Sequence, residues 1–221
     1  MPVPVQLTRT GAIVNAGARS LQELQQQFAE THCILLPSLI APEILQVVLD
    51  QVAGAQFIPH QSTDVGVETQ IATNVALSSL QFLLNIPSFL RFIEAVTSCA
   101  PIQIFAGRIY RLSPAENQHF DWHDDVIPDD PRVLGLSINL SPQPFEGGEF
   151  SIRDVKTKQV FREVRNTGLG DALIFRIASS LQHRVGPVRG VISKMAYAGW
   201  FEPPTAASSD NFHQFVRRRE S

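Results

Sequence analysis

The sequence predicts a mainly β fold, an antiparallel sandwich or barrel, with a layer of helices packed outside it. Three observations predict this. Residues up to about 100 carry helical periodicities interrupted at proline and glycine, and from residue 101 the texture changes to short β-type runs separated by turn residues. A chain of 221 residues with 44% hydrophobic content is also long enough for one buried core and an added helical layer. The expectation is one domain over 1–204, helical over about 18–100 and a barrel over about 101–203. A polar tail follows at 205–221 and ends in "RRRES".

The elements follow in order. Leu21, Leu24 and Phe28 recur at i, i+3 and i+7, and Ser20 with Glu23 can form a capping box, so a helix is expected over about 20–30. "HCILLPSL" is a short apolar run broken by a proline, which suits a buried strand. "APEILQVVLDQVAG" places Pro42 at a first helical turn and Gly54 after a last one, the asymmetry of helix ends. "SLQFLLNIPSFLRFIEAVTSC" reads as two helical pieces separated at Pro87. Residues 55–75 are polar and weakly patterned and read as a loop. The β-type runs are "IQIFAGRIYRLS", "HFDWHDD", "VLGLSINLS", "GEFSIRD", "QVFREV", "DALIFRIA", "LQHRVGPV" and "ISKMAYAGWF".

Composition excludes several function classes. A formal net charge of −3 and a pI near 6.1 provide no basic field for phosphate backbones, so nucleic acid is not expected as a partner. No stretch approaches the roughly 20 apolar residues of a membrane helix. The start, "MPVPVQLTRTGAIVNAG", has no targeting pattern, and a cytoplasmic location is expected. The two cysteines, Cys33 and Cys99, lack zinc-ligand spacing and read as buried thiols in a reducing compartment.

The stretch "QHFDWHDD" at 118–125 holds His-x-Asp twice, as His119/Asp121 and His123/Asp125. On a strand each pair points to one face, because side chains alternate with a period of two. One nitrogen and one oxygen are too few to hold a transition metal, so a third ligand must come from elsewhere. His183 lies in a β-type run and shares a strand face with Leu181 and Val185. Two histidines and one carboxylate make the facial triad of non-heme Fe(II) oxygenases, which leaves positions open for chemistry. A His-x-Asp also arises by chance, and an inward histidine is commonly a hydrogen-bonded core residue, so further residues must decide.

Those residues form an ordered set: Tyr110, "WHDD", Arg132, "INL" at 138–140, "EGGEF" at 146–150, "GDALIF" at 170–175, His183, "GPV" at 186–188, Lys194 and "AGWF" at 198–201. The set resembles the Fe(II)/2-oxoglutarate-dependent dioxygenase superfamily, and within it the prolyl 4-hydroxylase-like branch. It spans roughly half of the chain. The resemblance implies a double-stranded β-helix (a jelly-roll, cupin-like barrel) with an N-terminal helical layer. It implies Fe(II) held by His123, Asp125 and His183, because that register places Arg132 where the family has its downstream arginine. Asp124 then faces the opposite side, and His119 and Asp121 become candidates for the substrate cleft or for partners of the ligands.

The resemblance also implies that Lys194, eleven residues after His183, binds the distal carboxylate of 2-oxoglutarate. Lys194 shares strand parity with Ala196 and Ala198, and a buried ammonium needs a partner that a dicarboxylate supplies. "GVISK" departs from the family's shorter glycine-to-base spacing, and Arg189 is the alternative, although its place between Pro187 and Gly190 reads as a turn. Tyr110 and Asn139 are candidates to hydrogen-bond the cosubstrate, and Arg132 to face the substrate. The implied reaction uses Fe(II), 2-oxoglutarate and O2 to hydroxylate an unactivated C–H bond, with succinate and CO2 as co-products. The resemblance does not select a substrate; a protein or peptide residue such as proline is expected, because the sequence lacks the long lid insertions that enclose a small ligand. The alternatives are the same chemistry on a free amino acid or natural product, and a cupin-type metal-binding protein without 2-oxoglutarate chemistry.

Overall fold

The computed structural model describes residues 3–62, 66–72, 74–114, 118–128, 131–165 and 167–204, so the expected tail at 205–221 lies outside the described residues. A hairpin of β1 (Val5–Thr8) and β2 (Gly11–Val14) leads into α1 (Ala18–Thr31), β3 (Cys33–Leu36) and α2 (Pro42–Ala53). A second hairpin, β4 (Phe57–Ser62) and β5 (Gly66–Ile71), precedes α3 (Val75–Leu84) and α4 (Pro87–Thr97). The remaining strands are β6 (Ile104–Leu112), β7 (Phe120–His123), β8 (Leu134–Asn139), β9 (Glu146–Gly147), β10 (Phe150–Asp154), β11 (Val160–Val164), β12 (Ala172–Arg176), β13 (Leu181–Val185), β14 (Val188–Arg189) and β15 (Lys194–Glu202).

One large sheet runs β11-β10-β13-β7-β5-β6-β15-β8-β12-β3, with β4 added to β5. It curls back on itself into a double-stranded β-helix. Phe175 on β12 lies 4.9 Å from Phe150 on β10 and 4.5 Å from His183 on β13, although these strands stand far apart in the sheet order. Along β15 the two-residue alternation divides the molecule. Met195, Tyr197 and Phe201 face the helices in the main core, while Lys194, Ala196, Ala198 and Trp200 face a cavity inside the curl. Tyr197 Oη donates to Gln81 Oε1 on α3 at 2.9 Å, and its ring meets Phe105 edge-on, which fixes the helical layer to the strand that carries the cavity floor.

Two expectations are corrected. α1 begins at Ala18 behind Gly17, with no side-chain cap. Ser20 therefore sits within the first turn and cannot cap it, and Glu23 pairs with Arg19 instead. Residues 55–75 are no simple loop, because β4 and β5 form a hairpin whose Thr69 and Gln70 pair with Arg111 and Tyr110 of β6 and whose Gly66 pairs with Phe120 of β7. These strands are polar because their order comes from pairing at the junction of β6 and β7 rather than from a buried face of their own. Cys33 is buried and Cys99 half-buried, and both are free; burial raises the Cys33 thiol to about 11. Among the described residues no single helix is long and apolar enough to cross a membrane. α3 and α4 pass that test only as a pair bent by 58°, and they pack Leu80, Leu84, Phe89 and Ile93 into the core.

Candidate metal centre

The register of β7 and β13 brings two histidines together. His123 and His183 are directly opposite partners, and Phe120 is the partner of Val185. Three steps along β7 therefore match two along β13, so the ladder carries a β-bulge in which Asp121 and Trp122 stand against Arg184. The extra residue reverses the parity on one side of it. Phe120 and His123 both line the cavity, while the Asp121 side chain is 76% exposed. Trp122 turns to the outer face, where its ring lies 3.9 Å from the Arg153 guanidinium and 4.8 Å from that of Arg184. Simple alternation had put His119, Asp121, His123 and Asp125 on one face; the bulge corrects this.

The imidazoles of His123 and His183 lie 4.3 Å apart, ring centre to ring centre. Asp125, just past the end of β7, completes the group: its Oδ2 is 3.3 Å from His183 Nε2 and its Oδ1 3.8 Å from His123 Nε2. One ligand atom from each of the three residues lies within 4.8 Å of the other two. His123 Nδ1 donates to the Asp121 carbonyl at 2.6 Å, which leaves Nε2 with its lone pair toward the centre. Trp200 Nε1 donates to Asp125 Oδ2 at 2.7 Å. Burial pushes the Asp125 carboxyl up, but the hydrogen bond and charge of His183, with help from Trp200 and His123, hold it well below the usual carboxylate range. Burial and the neighbouring His183 lower His123. Two imidazoles and one carboxylate on the wall of a cavity fit a divalent first-row metal with coordination positions to spare.

The cavity has a volume of about 470 Å³. Its floor is a ladder of three strands. At one level Ala196 stands between Tyr110 of β6 and Asn139 of β8; at the next, Ala198 stands between Arg108 and Ser137. Lys194 lies at one end of this ladder and Trp200 at the other. The Lys194 ammonium donates to the Gly148 carbonyl at 2.7 Å, and burial lowers its pKa to about 8 against the attraction of Glu149. Small side chains at 196 and 198 keep the space between the two ends open.

The other sequence candidates are distributed as follows. Tyr110 lines the cavity and is 3% exposed; burial, then Glu68, raises its hydroxyl, which hydrogen-bonds Ser137. Asn139 lines it too, but its amide donates to the Thr167 and Gly168 carbonyls and accepts from the Ser141 N–H, so its polar atoms hold a loop. Arg132 lies over the Trp200 ring at 3.8 Å on the cavity wall. Asp124 stands at the rim, where its carboxylate caps Val126. Arg189 is exposed on β14. The structure does not bring the side chains of His119 and Asp121 to the cavity; they pair with each other at 3.5 Å outside it. The sequence reading missed Trp200 as the holder of Asp125 and missed Arg108 altogether. Arg108 is on the cavity wall, and the side chain of Glu68, 1% exposed, holds it with Nε–Oε1 2.5 Å and Nη2–Oε2 3.2 Å. The parity of Arg108 with Tyr110 was the available signal.

Residues 107–202 match the family model of the 2OG-Fe(II) oxygenase superfamily. Comparison of the sequence with curated proteins finds no match. Among solved structures, a Pseudomonas putida prolyl-4-hydroxylase is similar with a TM-score of 0.60 and 14% identity, over 84% of this chain and 100% of that one. A prolyl hydroxylase from Trichoplax adhaerens, solved with a hypoxia inducible factor peptide fragment, gives 0.59 at 14% identity, over 85% and 94%. The non-heme alpha ketoglutarate dependent epimerase SnoN from nogalamycin biosynthesis gives 0.65 at 13% identity, over 86% and 83%. At such identities the structural likeness establishes the fold.

Proposed function

Starting from the 2OG-Fe(II) oxygenase domain of residues 107–202, we propose that this enzyme hydroxylates an unactivated C–H bond of a small molecule, with His123, Asp125 and His183 as its Fe(II) ligands. The observation that carries the reading is the convergence of the three ligand atoms within 4.8 Å on the wall of a cavity that also holds a buried ammonium. Bound Fe(II), with 2-oxoglutarate and O2, supplies the oxidising chemistry, and succinate and CO2 leave as co-products.

The chain's own residues bind and orient. Lys194 receives the distal carboxylate of the cosubstrate, which replaces the Gly148 carbonyl as partner of its charge. Tyr110, one ladder level on, flanks the same molecule, and Asn139 shapes the pocket by fixing residues 167–168. Trp200 holds one oxygen of Asp125, so the carboxylate is set before the metal arrives. The apolar wall of Phe120, Phe150, Phe175 and Leu173 keeps bulk water from the reacting carbon. Residues 1–204 act as one unit in this reading, because helices and cavity share the two faces of β15, and the setting is cytoplasmic.

Two substrate classes suit this chemistry. The absence of long lid insertions and the likeness to prolyl hydroxylases support a protein or peptide residue such as proline. The cavity favours a free amino acid or natural product: about 470 Å³ is the size of a small-molecule cleft, and β5 closes the wall between β6 and β7. The likeness to nogalamycin enzymes supports this second class. The test is succinate release from 2-oxoglutarate with Fe(II) in the presence of peptides or of free amino acids. Stimulation by peptides alone overturns the small-molecule reading, and a cupin without 2-oxoglutarate chemistry releases no succinate under either condition.

A further inference from the structure

We infer that the substrate is held through a free carboxylate received by Arg108. The inference rests on the oxygenase reading and names the substrate class of the same cavity. Lys194 and Arg108 are separated along one ladder: Lys194 is the first residue of β15, and Arg108 pairs with Ala198, four residues further along that strand. A cosubstrate anchored at Lys194 therefore leaves the level of Arg108 for the second reactant.

That level is built for an anion. Glu68 takes two of the five N–H donors of the Arg108 guanidinium, at Nε and Nη2, and its carboxylate also accepts a hydrogen bond from Gln70 Nε2. The other donors belong to a side chain that lines the cavity, is 28% exposed, and stands at one ladder level with the small Ala198 and Ser137. The planar fork is thus fixed in place with donors in hand, the arrangement that matches a carboxylate. A second guanidinium, Arg132, adds to the field beside Trp200; Arg108 and Arg132 lie 5.3 and 3.8 Å from its ring. Trp200 in turn holds Asp125, so the anion site borders the metal ligands.

The plainer account is that Glu68 and Arg108 merely anchor the β4–β5 hairpin to β6. That accounts for an anchor but not for a charged one, since a well-packed apolar pair of similar volume holds a strand as well or better. An ion pair kept on the wall of a reaction cavity is explained by a third charged group that joins it.

The test uses the full chain loaded with Fe(II) and 2-oxoglutarate. The probes are a low-mass extract retained on an anion exchanger, the same fraction after methyl esterification or after phosphatase treatment, and a library of C-terminally amidated peptides. Succinate release is expected to rise above the uncoupled level with the retained and phosphatase-treated fractions only. Arg108→Met should lower that stimulation by about 10- to 100-fold, while its titrations with metal and with 2-oxoglutarate stay within about twofold of wild type. Arg108→Lys, which keeps the charge without the fork, should fall between. Stimulation by the esterified fraction or by peptides, loss on phosphatase treatment, stimulation by none of the probes, or a wild-type response in Arg108→Met overturns the inference. Failure of the oxygenase reading looks different: the wild-type protein then shows neither Fe(II)-dependent 2-oxoglutarate binding nor uncoupled succinate release.

Discussion

His123 and His183 are directly opposed across β7 and β13, with imidazole centres 4.3 Å apart, and a β-bulge one step away turns the first of them into the cavity. The bulge is held from outside. Trp122, its outward residue, is contacted by the guanidinium groups of Arg153 and Arg184, and Arg153 is hydrogen-bonded to Gln182 at 2.9 Å. Trp122→Ala should let the bulge relax and weaken metal binding on the order of 10-fold, as loss of a ligand-orienting contact does. Trp122→Phe, which keeps a ring in the stack, should recover most of it. Metal titration beside thermal unfolding of the metal-free protein separates this from a general loss of stability; an unchanged metal affinity in folded Trp122→Ala would rule it out.

Three aspartates in one short segment should respond differently to alanine. Asp125→Ala removes a proposed ligand and its charge, so iron retention and succinate release should drop by more than the roughly 10- to 100-fold of an outer partner. Asp124→Ala and Asp121→Ala should stay near wild type, because one side chain caps Val126 at the rim and the other is 76% exposed. Asp121 serves His123 through its backbone carbonyl, which alanine retains. A damaged Asp121→Ala with a sound Asp125→Ala would transfer the ligand role to the first His-x-Asp.

Trp200→Phe keeps the ring beneath Arg132 but deletes the N–H that reaches Asp125 Oδ2. Metal affinity should weaken about 10- to 100-fold with little change in unfolding temperature. Equal affinity in the variant would show that Asp125 needs no such support.

Lys194 sets a pH dependence whose sign can be worked out. Its pKa in the folded protein is about 8, below the ordinary 10.5, because burial disfavours the ammonium. Between these values the unfolded chain binds the extra proton, so the folded state gains stability as pH rises through that window. The difference in unfolding temperature between Lys194→Met and the metal-free wild type should therefore shrink as pH rises from 8. The dicarboxylate needs the charged form, so 2-oxoglutarate affinity should fall above pH 8, by about tenfold at one unit above the pKa. Lys194→Arg should flatten that fall. Isothermal titration across the range checks both; a flat profile in the wild type would remove Lys194 from the cosubstrate contact.

Gly199 tests the floor of the cavity. A Cβ at this position would overlap the Ala106 carbonyl on β6, backbone that cannot move without breaking the β6–β15 ladder. Gly199→Ala should cost on the order of 3 kcal/mol, read by denaturant unfolding.

Much of this protein was legible without coordinates. The β-type runs from residue 102 onward each became a strand, and α2 starts at Pro42 and stops at Gly54 as the end signals required. The resemblance singled out His123, Asp125 and His183, whose candidate ligand atoms the structure brings within 4.8 Å of one another. The resemblance singled out Lys194, and alternation placed it on one face with Ala196 and Ala198, since β15 is regular and a period of two survives along it. Local chemistry of this kind is written in neighbouring residues.

What the tertiary structure decided depends on contacts between distant segments. The bulge that sends Asp121 outward and His123 inward exists only because β13 offers one residue where β7 has two. The β4–β5 hairpin is ordered by partners on β6 and β7 that lie some forty or more residues away, and nothing in its own polar pattern announces them. Glu68 beside Arg108, Trp200 beside Asp125 and Asn139 beside Thr167 are likewise meetings of segments separated in sequence. Side-chain periodicity tells which way a residue faces on a regular element, but register, bulges and the closing of the sheet tell what it faces. Those are set by the packing of the whole chain.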